Sequence, residues 1–190
     1  MRFVVGITGA SGAVYGVRVL EMLKELNIES HAIISKAASL TLQFETGKKV
    51  DEVKKLASVS YDEEELSAPV ASGSFKHDGM MIVPCSTKTL SAIATGYESN
   101  LIARAAMVTL KERRRLLLLL RETPLSIIHI KNMLEASNAG AIIMPASPSF
   151  YTMPSSVDEM VTQVAGRVLD IMGVEHELIK RWSGPKGMSD

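Results

Sequence analysis

A chain of 190 residues with 21 Lys and Arg against 21 Asp and Glu fits one domain and has no net field to attract nucleic acid or an anionic membrane. Its single cysteine excludes an intrachain disulfide, and a chain this long buries roughly 70% of its unfolded surface without such a staple. The sequence enters directly on a strand-like run, with no charged leader and no apolar stretch long enough to span a bilayer, which predicts a cytoplasmic protein.

Arg2 to Ile7 is a short, β-prone apolar run. Gly9-Ala10-Ser11-Gly12-Ala13 follows, and Val14 to Leu26 has helical spacing, with Val17, Leu20, Leu23 and Leu26 on one face. Ser30 to Ile34 predicts a second strand, Ala37 to Glu45 a helix, and Lys48 to Lys55 a charged surface segment. Ser67 to Gly73 has loop chemistry. Met80 to Val83 predicts a third strand stopped by Pro84, and Thr87 to Ala94 and Leu101 to Leu110 predict helices. Leu116 to Leu120 is the unbroken apolar run of a strand covered on both faces. Ser126 to Ser137 predicts a helix stopped at Asn138-Ala139-Gly140. Ala141 to Met144 is a fifth strand closed by Pro145, and Val157 to Met172 is a long helix followed by Gly173.

Alternating short apolar strands and helices predict a parallel sheet wrapped on both sides. The fold class is α/β: a single-domain three-layer sandwich, Rossmann-like and flavodoxin-related. Residues 1–182 form the domain and 183–190 a polar C-terminal tail. The 46% hydrophobic share and 11 Met have two outlets, subunit interfaces or a well-filled core.

The turn from Gly9 to Ala13 lies where the first strand meets the first helix. Glycines let a backbone approach a ligand closely, a helix N-terminus offers free N–H groups, and Ser11 adds a hydroxyl. The other reading is a tight turn with no ligand. A P-loop needs Gly-Lys-Ser/Thr, but Ala13 follows Gly12. The dinucleotide spacing is absent too, and the second strand ends in Ser35-Lys36 where an acid would hold a ribose. A mononucleotide is therefore favoured. Pro84-Cys85-Ser86-Thr87-Lys88-Thr89 gathers hydroxyls at another strand end, as further phosphate donors or as a generous helix cap. Cys85 has no base in this motif and reads as a packed thiol.

Arg121-Glu122 follows the Leu-rich strand, where Arg can bind phosphate and Glu can move a proton; a surface ion pair is the plainer reading. Lys111, Arg113, Arg114 and Arg115 precede that strand and fit a solvated helix end. Tyr151 lies in a loop, and Arg167 sits among Val164 and Val168, where an arginine needs an anion. The acidic run Asp62 to Glu65 reads as solvated. No Asp-rich DDxxD pattern is present, and His31, His77, His129 and His176 lack metal-ligand spacing, so no metal is expected.

Several stretches stand in a family-specific order: Thr8 to Ala13, Ile34 to Ala37, Ala71 to Ser74, Pro84 to Thr87, Leu110 to Arg114, Arg121 to Pro124, Pro148 to Tyr151 and Arg181-Trp182. In these the chain resembles the UbiX-type flavin prenyltransferases, once described as aromatic acid decarboxylases, from Val4 to about Trp182. The resemblance implies transfer of a dimethylallyl group from dimethylallyl monophosphate to N5 and C6 of reduced FMN, without a metal. The prenylated FMN would serve a UbiD-type decarboxylase. By the same resemblance Gly9, Ala10, Ser11, Ser35, Ser86, Thr87, Lys88, Thr89, Arg104 and Arg121 bind FMN. Lys111, Tyr151 and Arg167 hold the prenyl phosphate. Glu122, Ser11 and Glu45 serve catalysis, Glu122 as the acid/base. A large homo-oligomer, commonly a dodecamer, is implied as well. Some members carry a tryptophan before the Ala-Pro of the third loop, where Leu66 precedes Ser67-Ala68-Pro69 here.

Three rival readings are an FMN-dependent cysteine decarboxylase, an FMN-binding electron carrier and a non-catalytic FMN store. The first relies on a His in the loop before the third strand; that loop reads Ala71-Ser72-Gly73-Ser74, and His77 falls later. The second needs no set such as Lys111, Glu122, Tyr151 and Arg167.

Overall fold

The computed structural model describes residues 1–182 and Gly184. The tail predicted at 183–190 lies, but for Gly184, outside the described residues. The elements follow in the order β1 (Arg2–Ile7), α1 (Ala13–Glu25), β2 (Glu29–Ile34), α2 (Lys36–Thr46), α3 (Val50–Lys54), β3 (Val59–Asp62), β4 (Gly79–Cys85), α4 (Thr87–Thr95), α5 (Leu101–Lys111), β5 (Arg115–Leu120), α6 (Ile127–Asn138), β6 (Ala141–Pro145) and α7 (Val157–Met172). The strands form one sheet in the order β3-β2-β1-β4-β5-β6, and every pairing is parallel.

The leucine run explains how the sheet is covered. Leu117 and Leu119 join Phe3, Val5 and Ile7 in a core beneath α1 and α7. Leu116, Leu118 and Leu120 join Val4, Met80 and Ile82 in a second core beneath α4 and α5. Successive strand side chains point to opposite faces, so only a continuous apolar run satisfies both layers. On α1, Val17, Leu20 and Leu23 are buried in the first core and Leu26 packs against it, as the helical spacing predicts.

Three differences from the sequence reading have physical causes. β3 is an edge strand in which Tyr61 alone is buried, so it lacks the apolar pattern of the other strands. β4 runs through Pro84 to Cys85, with a register shift against β5 between Ile82 and Cys85, the kind of irregularity where a strand tolerates proline. The charged segment at 48–55 contains α3, a single turn and a half with Val53 as its buried residue.

Candidate functional site

The strand order turns outward in both directions from β1 and β4. In open parallel sheets such a switch point, at the carboxyl ends of the strands, is where the loops part and ligands bind. A cavity of about 470 Å³ lies there, lined by Thr8 and Gly9 after β1, Ser35 to Ala37 after β2, Ser86, Lys88 and Thr89 after β4, and Asn100 and Ala103 on α5. That volume suits a nucleotide-sized molecule.

Three helices open onto it. Ser35 caps α2 by accepting from Ala38 N at 3.1 Å. Ser86 caps α4 by accepting from Thr89 N at 3.3 Å, and Asn100 caps α5 by accepting from Ala103 N at 3.0 Å. Each N-terminus carries partial positive charge and Lys88 adds a full charge at the rim, while the Lys36 ammonium is paired with Glu64 and the Glu63 carboxylate also lines the cavity. Thr8 braces the wall: its hydroxyl donates to Pro84 O at 2.7 Å and accepts from Ser86 N at 2.8 Å. The arrangement suits an anion with a flat or apolar remainder.

The N-terminus of α1 has two of its donors taken by a carboxylate. Glu45, from the end of α2, accepts from Gly12 N at 2.9 Å and from Ala13 N at 2.8 Å. Its carboxylate occupies the donors that the glycine-rich turn offers to a phosphate. Gly9 matters for another reason: a Cβ there would stand 2.5 Å from Ala37 Cβ, so glycine lets the first turn close onto α2. Since Glu45 supplies an N-terminal cap from another helix, Glu45→Ala is expected to cost about 1 kcal/mol, lowering Tm by about 2–4 °C for a chain of this size. Thermal unfolding followed by circular dichroism checks this.

Of the predicted cofactor residues, Gly9, Ser35, Ser86, Lys88 and Thr89 line the cavity, and Thr87 begins α4 beside them. Ala10 and Ser11 lie on the turn, with Ser11 exposed. Arg121 follows β5 and donates its backbone N–H to Cys85 O at 3.3 Å. Its charge opposes the burial that raises the pKa of the Tyr15 hydroxyl. Glu122 is exposed, its carboxylate accepting from Thr123 N at 2.9 Å. Arg104 follows the lining residue Ala103 and donates to Ala71 O at 3.2 Å and to Glu98 at 2.5 Å.

Lys111, Tyr151 and Arg167 are not brought together at the cavity within one chain. α5 begins there and spans 11 residues, about 16 Å. Lys111 therefore lies near the opposite end of the sheet, paired with Glu112 at 2.6 Å. Arg167 lies in the last third of α7 on its exposed side, not among the buried Val164 and Val168 as the sequence suggests, so burial creates no need for an anion; it donates to Asp170 at 2.7 Å. Tyr151 packs edge-on against Trp182 at 5.4 Å between ring centroids. Leu66, at the position of the family's tryptophan, is exposed.

Sequence reasoning missed Glu63. It is no merely solvated acid: it accepts from Lys36 N at 2.6 Å and from Asn100 Nδ2 at 2.6 Å, tying the starts of α2 and α5 to the cavity wall. Asn100 carried a signal, an Asn directly before an apolar helical run. Burial pushes the Cys85 thiol up to about 12, which makes it a packing residue at neutral pH. His77 is buried at the start of β4, with Nδ1 3.1 Å from Gly79 O, at the end of the strand away from the cavity. Burial lowers its pKa. Among the described residues no group of three or more His, Cys, Asp or Glu is placed to hold a metal, and no helix is long and apolar enough to cross a membrane.

A parallel sheet with a cavity ringed by helix N-termini at its switch point is the frame of a nucleotide-binding flavoprotein, and the family model described as Flavoprotein matches residues 1–171. The flavin prenyltransferase UbiX of Thermoplasma acidophilum is 52% identical over 182 residues, 96% of this chain and 100% of that one. A crystal structure of AnUbiX (PadA1) in complex with FMN and dimethylallyl pyrophosphate superposes with a TM-score of 0.96 and 47% identity, covering 97% of this chain and 98% of that one. The dodecameric FMN-dependent UbiX-like decarboxylase from Escherichia coli O157:H7 superposes with a TM-score of 0.94 and 46% identity, covering 97% of this chain and 100% of that one. The chain belongs to the flavoprotein family and, within it, to the UbiX-type flavin prenyltransferases.

Proposed function

We propose that this protein transfers the dimethylallyl group of dimethylallyl monophosphate to N5 and C6 of reduced FMN, forming prenylated FMN for a UbiD-type decarboxylase. The observation that carries the reading is the convergence of three helix N-termini on one cavity at the β1/β4 switch point, within a chain of this family. Reduced flavin supplies an electron-rich acceptor. The protein's own groups bind, orient and move protons. Gly9, Ala10, Ser11, Ser35, Ser86, Thr87, Lys88, Thr89, Arg104 and Arg121 hold the FMN. Lys111, Tyr151 and Arg167 take the charge of the departing phosphate as the allylic C–O bond breaks, since preorganised cations stabilise such a leaving group most. Glu122 delivers and removes protons, assisted by Ser11 and Glu45.

The separation of Lys111 and Arg167 from the cavity of their own chain argues for self-association, in which neighbouring copies bring them to it. The exposed apolar side chains supply the surfaces: Phe44 is 85% exposed on α2, and Ile127 and Ile128 are each 65% exposed on α6. Exposed apolar side chains of this size are the kind that subunit interfaces cover. We place the whole of residues 1–182 in one FMN-binding domain acting in the cytoplasm, where a lone buried thiol stays reduced. A cysteine decarboxylase is disfavoured by the position of His77 at the wrong end of β4.

Anaerobic incubation with reduced FMN and dimethylallyl monophosphate, followed by mass spectrometry of the released flavin, tests the proposal. The expected result is flavin carrying one added five-carbon unit. An FMN-loaded sample that leaves the flavin mass unchanged would overturn it.

A further inference from the structure

After α7 the chain turns at Gly173 and runs back along the helix as a strap, residues 174–182, whose docking rests on a few side chains. His176 is buried, and its Nδ1 accepts from Leu178 N at 3.2 Å. Its Nε2 therefore carries the proton and donates to Gly166 O at 3.1 Å. Gln163 Nε2 donates to Lys180 O at 3.3 Å. Arg181 donates twice to the Asp170 carboxylate, at 3.1 and 2.9 Å, and once to His176 O at 2.7 Å. α7 admits the strap through a notch, since a Cβ on Gly166 would stand 2.3 Å from Ile179 Cγ2 and 3.2 Å from His176 Cε1.

Asp170 is the hub of this network. Besides Arg181, its carboxylate accepts from Arg167 Nη1 at 2.7 Å and lies 3.3 Å from His176 Nε2. Burial alone would raise its pKa, but the hydrogen bonds from Arg181 and Arg167 outweigh that and hold the carboxyl below its usual range. Directly beyond Arg181, Trp182 packs edge-on against Tyr151 with ring centroids 5.4 Å apart. One carboxylate thus orients Arg167 directly. Through Arg181 it also fixes the backbone that brings Trp182 to Tyr151.

Resting on the prenyl-transfer reading above, we propose that Asp170 is a positioning residue for recognition of the prenyl phosphate: it docks the strap and so presets Arg167 and Tyr151. The hydrogen bond to Asp170 uses one Nη of Arg167 and leaves the rest of its five-donor fork for an anion. The same carboxylate separates two guanidiniums that would otherwise repel each other. Without it Arg167 keeps its charge but loses its fixed direction, and the strap loses its strongest anchor.

Asp170→Asn and Arg181→Gln are the test, the second removing the strap's half of the pair without touching α7. Asp170→Asn is expected to lower kcat/KM for dimethylallyl monophosphate about tenfold, the worth of one charge-assisted hydrogen bond, and Arg181→Gln, which leaves Arg167 on Asp170, by less, with FMN affinity nearly unchanged in both. The double variant should add little to Asp170→Asn, which already breaks the Arg181 pair. Asp170→Glu, which keeps the charge, should restore part of the loss. Trp182 is the chain's one tryptophan, so acrylamide quenching of the FMN-free protein reads the strap directly and is expected to increase in both variants. Increased quenching with unchanged kcat/KM for dimethylallyl monophosphate would show that the strap positions nothing, and unchanged quenching would show that Asp170 does not hold it; either result overturns the inference. A wild-type protein that forms no prenylated flavin overturns the prenyl-transfer reading and this inference together, whereas a working wild type with unaltered variants overturns this inference alone.

Discussion

Glu122→Gln is expected to lower the turnover of flavin prenylation about a hundredfold or more, the worth of a positioned proton donor or acceptor, while leaving FMN affinity nearly unchanged. The substitution keeps the shape and the hydrogen-bonding capacity of the side chain and removes only its ability to exchange a proton. Glu122 stands two residues past Leu120, which pairs with Cys85 of β4, so it lies one strand away from the Ser86 cluster. Its carboxylate rests on Thr123 N at 2.9 Å, a local contact that the amide oxygen of Gln can also make, so the fold has no reason to change. The measurement is single-turnover formation of prenylated FMN alongside FMN titration of the same sample. A rate within a few-fold of wild type would remove Glu122 from proton transfer. Weakened FMN binding with an unchanged rate constant at saturation would reassign it to binding.

Gly16→Ala is expected to be the most damaging single-methyl change in the chain's first half. Gly16 lies on the buried face of α1, and a Cβ there would stand 2.3 Å from Val83 O and 3.0 Å from the Ile7 side chain. Backbone oxygen cannot rotate aside, so α1 must withdraw from the β1/β4 seam or tilt. Overpacking a well-filled core costs about 1–3 kcal/mol and occasionally more, and a backbone obstacle belongs at the upper end. For a chain of this size that lowers Tm by about 6–12 °C. FMN affinity should fall with it, because the same helix begins at the turn that contains Gly9. Thermal unfolding of the FMN-free protein measures the first effect and flavin titration the second. A Tm within about 2 °C of wild type would show that α1 can shift at little cost.

Much of the architecture was legible because its signals are local. The Leu116 to Leu120 run has no polar face, which only a strand covered on both sides tolerates, and that is where β5 lies. Ser35, Ser86 and Ser126 each cap a helix, as short hydroxyl side chains before apolar periodicity do. β3 was not legible, because three of its four residues are exposed and its existence depends on pairing with β2. β4 extends past the boundary that Pro84 suggests, because the irregular register that accommodates the proline forms only against β5.

The site divides in the same way. Hydroxyls at strand ends marked Ser35 and the Ser86 to Thr89 cluster, and both line the cavity. Of the glycine-rich turn, Gly9 lines the cavity, yet the N–H groups of Gly12 and Ala13 at the start of α1 are taken by Glu45, a residue more than thirty positions further along on another helix. Glu63 sat within an acidic run that reads as solvent-facing until Lys36 N and Asn100 are brought to it.

By itself the sequence determined the alternation of strands and helices, the two-sided burial of the sheet and the family to which the chain belongs, because burial period, capping and motif order are written along the chain. Only the tertiary structure decided which helix N-termini face one cavity, which N-termini already meet a carboxylate (Glu45 at α1, Glu63 at α2), and how Asp170 ties the strap at 174–182 to α7. The physical reason is that a charge is satisfied by whatever lies within hydrogen-bond reach. Reach in space depends on how distant segments pack, which no local period records.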